Sequence, residues 1–166
     1  MSTFTEVLQF HHRRDHFSCG IIALDSYLHK QARQDMKKKV SVCFVNCTAD
    51  DTVIGYYTLS NGSIPRSELP PTLQHKLPRY EQLPVTILGR LAIDHTHQRK
   101  NIGTLLLIDA LKRSNDASAA IGSYAVFVDP IDEVASRFYE RFGFIKLPDS
   151  AKMFLPMKTI QMGLSV

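Results

Sequence analysis

The chain has 166 residues, with twenty lysines and arginines against sixteen acids and a net charge of +4. Apolar residues make up 44% and charged residues 22%, the balance of an ordinary globular protein able to bury its own core. This excludes a disordered tail, a fibre and a disulfide-dense scaffold, and it permits a polyanionic partner without demanding one.

Phe4 to Phe10 reads as a first strand, followed by the basic turn His11 to His16. A helix is expected from Ile21 to Lys37, because Leu24, Tyr27, Leu28 and Ala32 repeat at helical spacing opposite Lys30, Arg33, Lys37 and Lys38. Val40 to Asn46 and Val53 to Leu59 are rich in β-branched and aromatic residues, and Asp50-Asp51-Thr52 between them reads as a hairpin turn. Pro65 to Pro84 holds five prolines and reads as loop, with a helical turn around Ser67 to Lys76. An insertion this long is more often functional than idle. Val85 to Ile93 is nearly all apolar, as a central strand is. A helix from Ile102 to Arg113 and a strand from Tyr124 to Val128 follow. Asp132 caps a further helix through Phe142 that Gly143 ends, and Ile145 to Leu147 and Met153 to Met157 close the chain as short strands. There are no internal repeats. The pattern predicts one mixed α/β domain over residues 1–166.

Three cysteines (Cys19, Cys43 and Cys47) fit buried thiols in a reducing compartment. His95-x-His97 lacks further ligands at zinc spacing and reads as an exposed turn, so no metal is expected. The opening MSTFTEVLQF shows no signal peptide, and apolar runs such as Leu105 to Ile108 are far too short for a bilayer. These features predict a cytoplasmic protein with no membrane partner.

The chemistry concentrates between Leu88 and Thr104. A buried strand, Leu88-Gly89-Arg90-Leu91-Ala92-Ile93-Asp94, runs through His95-Thr96-His97 into Gln98-Arg99-Lys100-Asn101-Ile102-Gly103-Thr104, which opens a helix. Main-chain N–H groups and a helix N-terminus then meet at the strand's end and form an anion site, to which Arg99 and Lys100 add full charges. A pyrophosphate suits such a turn. On these residues alone, a basic strand-to-helix turn with no ligand remains an equal alternative.

Gln98-Arg99-Lys100-Asn101-Ile102-Gly103 resembles the Q/R-x-x-G-x-G/A acetyl-CoA signature of the GNAT acetyltransferase superfamily, with Asn101 in place of the first glycine. Asparagine tolerates the left-handed backbone better than other side chains, so the turn is expected to survive. Asp132 to Phe144 is similar to the superfamily's D/N-x-x-A-x-x-F-Y-E-x-x-G-F helix, and Tyr139 stands where many members carry a tyrosine that protonates the departing thiolate. Phe17-Ser18-Cys19-Gly20, Leu24 to Leu28, Tyr56 to Ser63, Glu68-Leu69-Pro70, Leu77-Pro78-Arg79-Tyr80 and Leu88 to Asp94 resemble one branch, the acetyltransferase toxins of type II toxin–antitoxin modules.

The resemblance implies a single GNAT-type α/β domain, with a central mixed twisted sheet of six or seven strands flanked by helices. It also implies acetyl-CoA as co-substrate, held by Leu91, Ala92, Ile93, Arg99, Lys100, Asn101, Ile102, Gly103, Thr104 and Asp132, with Tyr139 as general acid. For the branch it implies aminoacyl-tRNA as acceptor, a homodimer and a ribbon-helix-helix antitoxin. Main-chain N–H groups at Leu91 to Ile93 would hold the thioester oxygen. No acid stands out as a base, which suits an α-amino acceptor: with a pKa near 8, about a tenth is neutral at pH 7. Arg13, Arg14, Arg33, Lys37 to Lys39, Arg79 and Arg90 are the candidate RNA contacts, with Arg79 and Arg90 foremost for the acceptor and a solvated charged face the default reading of Lys37-Lys38-Lys39. A small amine or protein N-terminus as acceptor, and an inactive homologue that binds CoA or RNA, stay open.

Overall fold

The computed structural model describes residues 4–164. Its seven strands are β1 (Glu6–Val7), β2 (Val42–Cys47), β3 (Val53–Pro65), β4 (Gln82–Ile93), β5 (Ala125–Val128), β6 (Ile145–Lys146) and β7 (Met153–Pro156). They form one mixed sheet in the order β1-β2-β3-β4-β5-β7-β6. β4 and β5 pair in parallel from Val85↔Ala125 to Ile87↔Phe127, whereas β1–β2, β2–β3, β5–β7 and β6–β7 are antiparallel. A parallel pair requires a crossover, here containing α4 (Ile102–Ser118). The other helices are α1 (Ile22–Ser26), α2 (Ala32–Lys37), α3 (Pro71–Gln74), α5 (Glu133–Arg141) and α6 (Met157–Leu164). No helix of the described residues is long and apolar enough to cross a membrane.

The described residues divide into two compact units, one of residues 4–60 and 88–110, the other of 61–87 and 111–164. The first is built around Leu8, Phe17, Leu28, Ala32, Cys43, Val45, Val53, Tyr56 and Ala92. In the second, Ile64, Leu69, Leu83, Val85, Ala125, Leu147 and Phe154 form the core.

Most expected elements are present, and the differences have physical causes. The first strand shrinks to Glu6–Val7, because the chain turns back at His12, whose N–H bonds to the Gln9 carbonyl. The expected Ile21–Lys37 helix forms, with Tyr27, Leu28 and Ala32 buried as its stripe requires, but Tyr27–Gln31 winds as a π-helix between α1 and α2. β3 does not stop at Leu59. Polar Ser60-Asn61-Gly62-Ser63 resembles a turn by composition, yet strand pairing carries it on to Pro65. A Cβ at Gly62 would collide with the Ile87 side chain, so only glycine permits that approach. The proline-rich insertion is shorter than expected, with a 3₁₀ turn at Arg66–Glu68, α3, and β4 beginning at Gln82. α4 continues past Arg113 to Ser118, burying Ser114. Met157 begins a helix instead of ending a strand. α6 was not expected, although Met157 and Ile160, three apart and both buried, carried its signal.

Cys43 lies fully buried on β2, while Cys19 and Cys47 are half-buried against the same core. Burial pushes the Cys19 thiol up to about 11 and those of Cys43 and Cys47 up to about 12. They are inert packing groups at neutral pH.

Candidate active site

The turn after β4 is held by two side chains. Asp94 is buried and accepts from the Ser18 N–H at 2.9 Å and the Thr96 N–H at 3.1 Å, and also from the Thr96 hydroxyl. It thereby caps the 3₁₀ turn His95–His97. Burial alone would raise its carboxyl, but the hydrogen bonds from Thr96 and Ser18 outweigh burial and hold it below the ordinary carboxylate range. Gln98 reaches back and donates to the Cys19 and Ile93 carbonyls at 3.1 and 3.0 Å. The first residue of the signature thus clamps the strand end. Neither tie was foreseen, since both depend on Ser18 and Cys19 approaching from far along the chain.

Beyond Gln98 the backbone turns left-handed twice, at Arg99 (φ 65°) and Asn101 (φ 61°). Asn101 therefore adopts the conformation that the signature's glycine would supply, and its carbonyl accepts the Leu105 N–H at 3.1 Å to start α4. The first N–H groups of a helix have no partner within it. Ile102, Gly103 and Thr104 occupy that position here, beside exposed Arg99 and Lys100. Such a donor set, with two cations and a left-handed turn, fits a pyrophosphate. Leu106 seats α4 against β3: a Cβ on Gly55 would lie 2.8 Å from its Cδ1. Upstream, the β4–β5 ladder ends at Ile87↔Phe127 while β4 runs on to Ile93, so Leu91, Ala92 and Ile93 lie outside that ladder.

Tyr139 sits in α5 and is buried. Asp132 caps that helix, accepting from the Ala135 N–H at 2.8 Å, which is a structural role for a residue also expected at the cofactor. At the other end Gly143 adopts φ 91°, the Gly143 N–H bonds to the Glu140 carbonyl, and the Phe144 N–H bonds to the Tyr139 carbonyl. This is the Schellman arrangement, and its usual apolar contact is the Phe144 ring, 5.2 Å from that of Tyr139. Phe138 packs edge-on at 5.4 Å. The helix stop therefore fixes Tyr139 by backbone and ring together. Burial pushes its hydroxyl well above the ordinary tyrosine range, so the group stays protonated at neutral pH.

The candidate RNA contacts divide. Arg90 lies over the Tyr27 ring at 3.5 Å, and Tyr27 donates to Asp35 at 2.9 Å. Arg14 donates to the Leu28 carbonyl, Arg13 lies 3.7 Å from Asp50, and Arg33 covers the Phe10 ring. Lys37, Lys38, Lys39 and Arg79 are exposed. Composition could not separate these tethered arginines from the solvated ones.

Glu6, His11, His12 and Asp51 bring ligand-type atoms within 4.8 Å of one another, a grouping not expected from sequence. His12 Nδ1 accepts the Gln9 N–H at 2.8 Å, so its proton sits on Nε2 and points to Glu6 Oε1. With one nitrogen bonded and the other protonated, His12 has no lone pair for a metal.

The fold and turn define an acyl-CoA-dependent acyltransferase architecture. The acetyltransferase (GNAT) family profile matches residues 9–144, and the chain belongs to that family. It is 36% identical over 143 residues to a tRNA-acetylating toxin of Mycobacterium tuberculosis, covering 86% of this chain and 84% of the relative. Its structure is similar to that of AtaT complexed with acetyl-methionyl-tRNAfMet, with a TM-score of 0.89, 32% identity, and 96% and 98% of the two chains covered. It is also similar to a tyrosine-to-phenylalanine mutant of the toxin AtaT bound to acetyl-CoA and the C-terminus of the antitoxin AtaR, with a TM-score of 0.83, 27% identity and 98% of each chain covered.

Proposed function

We propose that this protein is a toxin that transfers an acetyl group from acetyl-CoA to the amino group of an aminoacyl-tRNA and so blocks translation. The doubly left-handed turn at Arg99 and Asn101, opening α4 beside two cations, carries the reading. It preserves the signature's geometry without the signature's glycine. The tRNA acceptor is supported by the tRNA-acetylating relative and by the similarity to AtaT in complex with acetylated tRNA.

Acetyl-CoA supplies the activated acetyl group. The N–H groups of Ile102, Gly103 and Thr104, with Arg99 and Lys100, would hold its pyrophosphate, and the main chain at Leu91, Ala92 and Ile93 would orient the thioester. Tyr139 keeps its proton on Oη until the thiolate departs and then donates it. An α-amino acceptor is already partly neutral at pH 7, so no dedicated base is required. Arg79 and Arg90 are assigned to the acceptor's phosphates. The protein is read as a single domain acting in the cytoplasm as a homodimer, restrained by a ribbon-helix-helix antitoxin.

The test is transfer of label from acetyl-CoA to total charged tRNA. Labelled charged tRNA is the expected product; labelling of a polyamine or peptide with tRNA left unlabelled would replace the proposed acceptor. A second experiment addresses Asn101. Asn101→Gly removes the Cβ penalty at φ 61° and clears side-chain bulk from the turn. Acetyl-CoA is expected to bind several-fold tighter by calorimetry, and weaker binding would show that the asparagine side chain helps to hold the ligand.

A further inference from the structure

The second unit contains a cleft of about 380 Å³ lined in part by Arg66, Arg79, Tyr80, Glu81 and Gln82. It lies in the proline-rich insertion, apart from the acetyl-CoA turn in sequence. Arg66 is held in place: its N–H bonds to the Glu81 carbonyl at 2.9 Å, and its guanidinium donates to the Gln74 carbonyl at 2.8 Å. Its Nε–H is nevertheless buried with no hydrogen-bond partner. A buried, unpaired guanidinium N–H leaves the charge of Arg66 incompletely satisfied, which favours an anion at the adjoining cleft. Arg79 is exposed and adds a second cation at the same cleft, while the Tyr80 ring is 67% exposed. Its flat face, in the same lining as two arginines, is of the kind on which a nucleic-acid base stacks. Even counting the Glu81 carboxylate, the lining keeps a net positive charge.

We propose that this cleft binds one unpaired nucleotide of an RNA chain, with the base stacked on Tyr80 and the phosphate held by Arg66 and Arg79. Glu81 and Gln82 supply acceptors and a donor for the base edge. A lone phosphate would leave Tyr80 unused, and an acidic peptide offers a flat group only where an aromatic side chain happens to lie beside its acids. Single-stranded nucleic acid supplies both parts, as stacking on aromatics beside basic residues is its general mode of recognition. The inference rests on the tRNA reading, and it adds a subsite and the residues that form it.

The test uses the full chain and a labelled single-stranded ribo-oligonucleotide ending in CCA, followed by anisotropy without acetyl-CoA. Tyr80→Ala is expected to weaken binding about ten-fold, and Tyr80→Phe to keep it, because stacking needs the ring and not the hydroxyl. Arg79→Ala should weaken binding and lower the slope of log K against log salt by about 0.7, the value for one phosphate contact to a single strand. Both alanine variants alter exposed side chains, so folding is not at stake. Wild-type binding by Tyr80→Ala and Arg79→Ala overturns the proposal. So does an acidic peptide that displaces the oligonucleotide and depends equally on Tyr80. Label transfer to charged tRNA separates the two readings. Transfer by the wild type, with an oligonucleotide affinity indifferent to both alanine variants, rejects the cleft and the assignment of Arg79 to the acceptor, and leaves the acetylation reading standing. Tyr80-dependent RNA binding without transfer to any charged tRNA supports the cleft and rejects the acetylation reading alone.

Discussion

Tyr139→Phe is expected to lower the rate of acetyl transfer at least about 100-fold, the lower range for loss of a positioned general acid. Acetyl-CoA binding and thermal stability should stay at wild-type values. The contacts that place this residue do not use its hydroxyl: the Tyr139 carbonyl accepts the Phe144 N–H, and the ring packs against Phe138 and Phe144. Phenylalanine keeps all of these and removes only the hydroxyl group. Burial holds the Tyr139 hydroxyl above its ordinary range, so its acid form persists as pH rises through about 10, where an exposed tyrosine would ionise. Single-turnover rates and calorimetry on the same variant are the measurements. Wild-type turnover in Tyr139→Phe would remove this residue from the mechanism. If the proposed toxicity depends on catalysis, induced expression arrests growth for the wild type and not for the variant.

Asp94→Ala is expected to lose about 2–3 kcal/mol of stability, from the missing cap and from the part-buried Ser18 N–H left without its acceptor. Urea unfolding gives the number. Asp94→Asn keeps one carbonyl oxygen and should lose less. The pH dependence has a definite sign. The folded carboxyl lies below its unfolded value near 3.9, so its stabilisation is fully present above that value and is lost as pH falls through the folded one. Wild type should therefore lose more stability than Asp94→Ala on acidification below about pH 4. Because Asp94 ties the turn to Ser18, acetyl-CoA affinity is expected to fall as well. An unchanged affinity would show that Gln98, through Cys19 and Ile93, suffices to hold the turn.

What was legible in the chain followed the reach of its interactions. The helix over Ile21–Lys37 could be read because its apolar stripe depends on residues three and four apart. Its π-helical segment could not, since that register is adjusted where Tyr27 packs in the core and meets Arg90. The Asp132 cap and the Gly143 stop were visible for the same local reason, and they fix Tyr139. The extension of β3 from Leu59 to Pro65 was not legible in the polar run Ser60–Ser63, because strand pairing is not a local signal. Of the site, Asn101 was legible as a left-handed residue. The clamps by Asp94 and Gln98 were not, because Ser18 and Cys19 lie more than seventy residues away.

Length and composition at the outset allowed a polyanionic partner and no more. Sequence by itself determined the mixed α/β class, the order of strands and helices up to α6, the left-handed turn at Asn101 and the helix that carries Tyr139. Each of these depends on periodicity, capping or backbone preference within a few residues. Tertiary structure alone decided which basic residues are free. Arg14 is bound to the Leu28 carbonyl, whereas Arg79 stands beside Arg66 and Tyr80 at a cleft. Charge is a property of composition, but its availability depends on which groups the fold places against it.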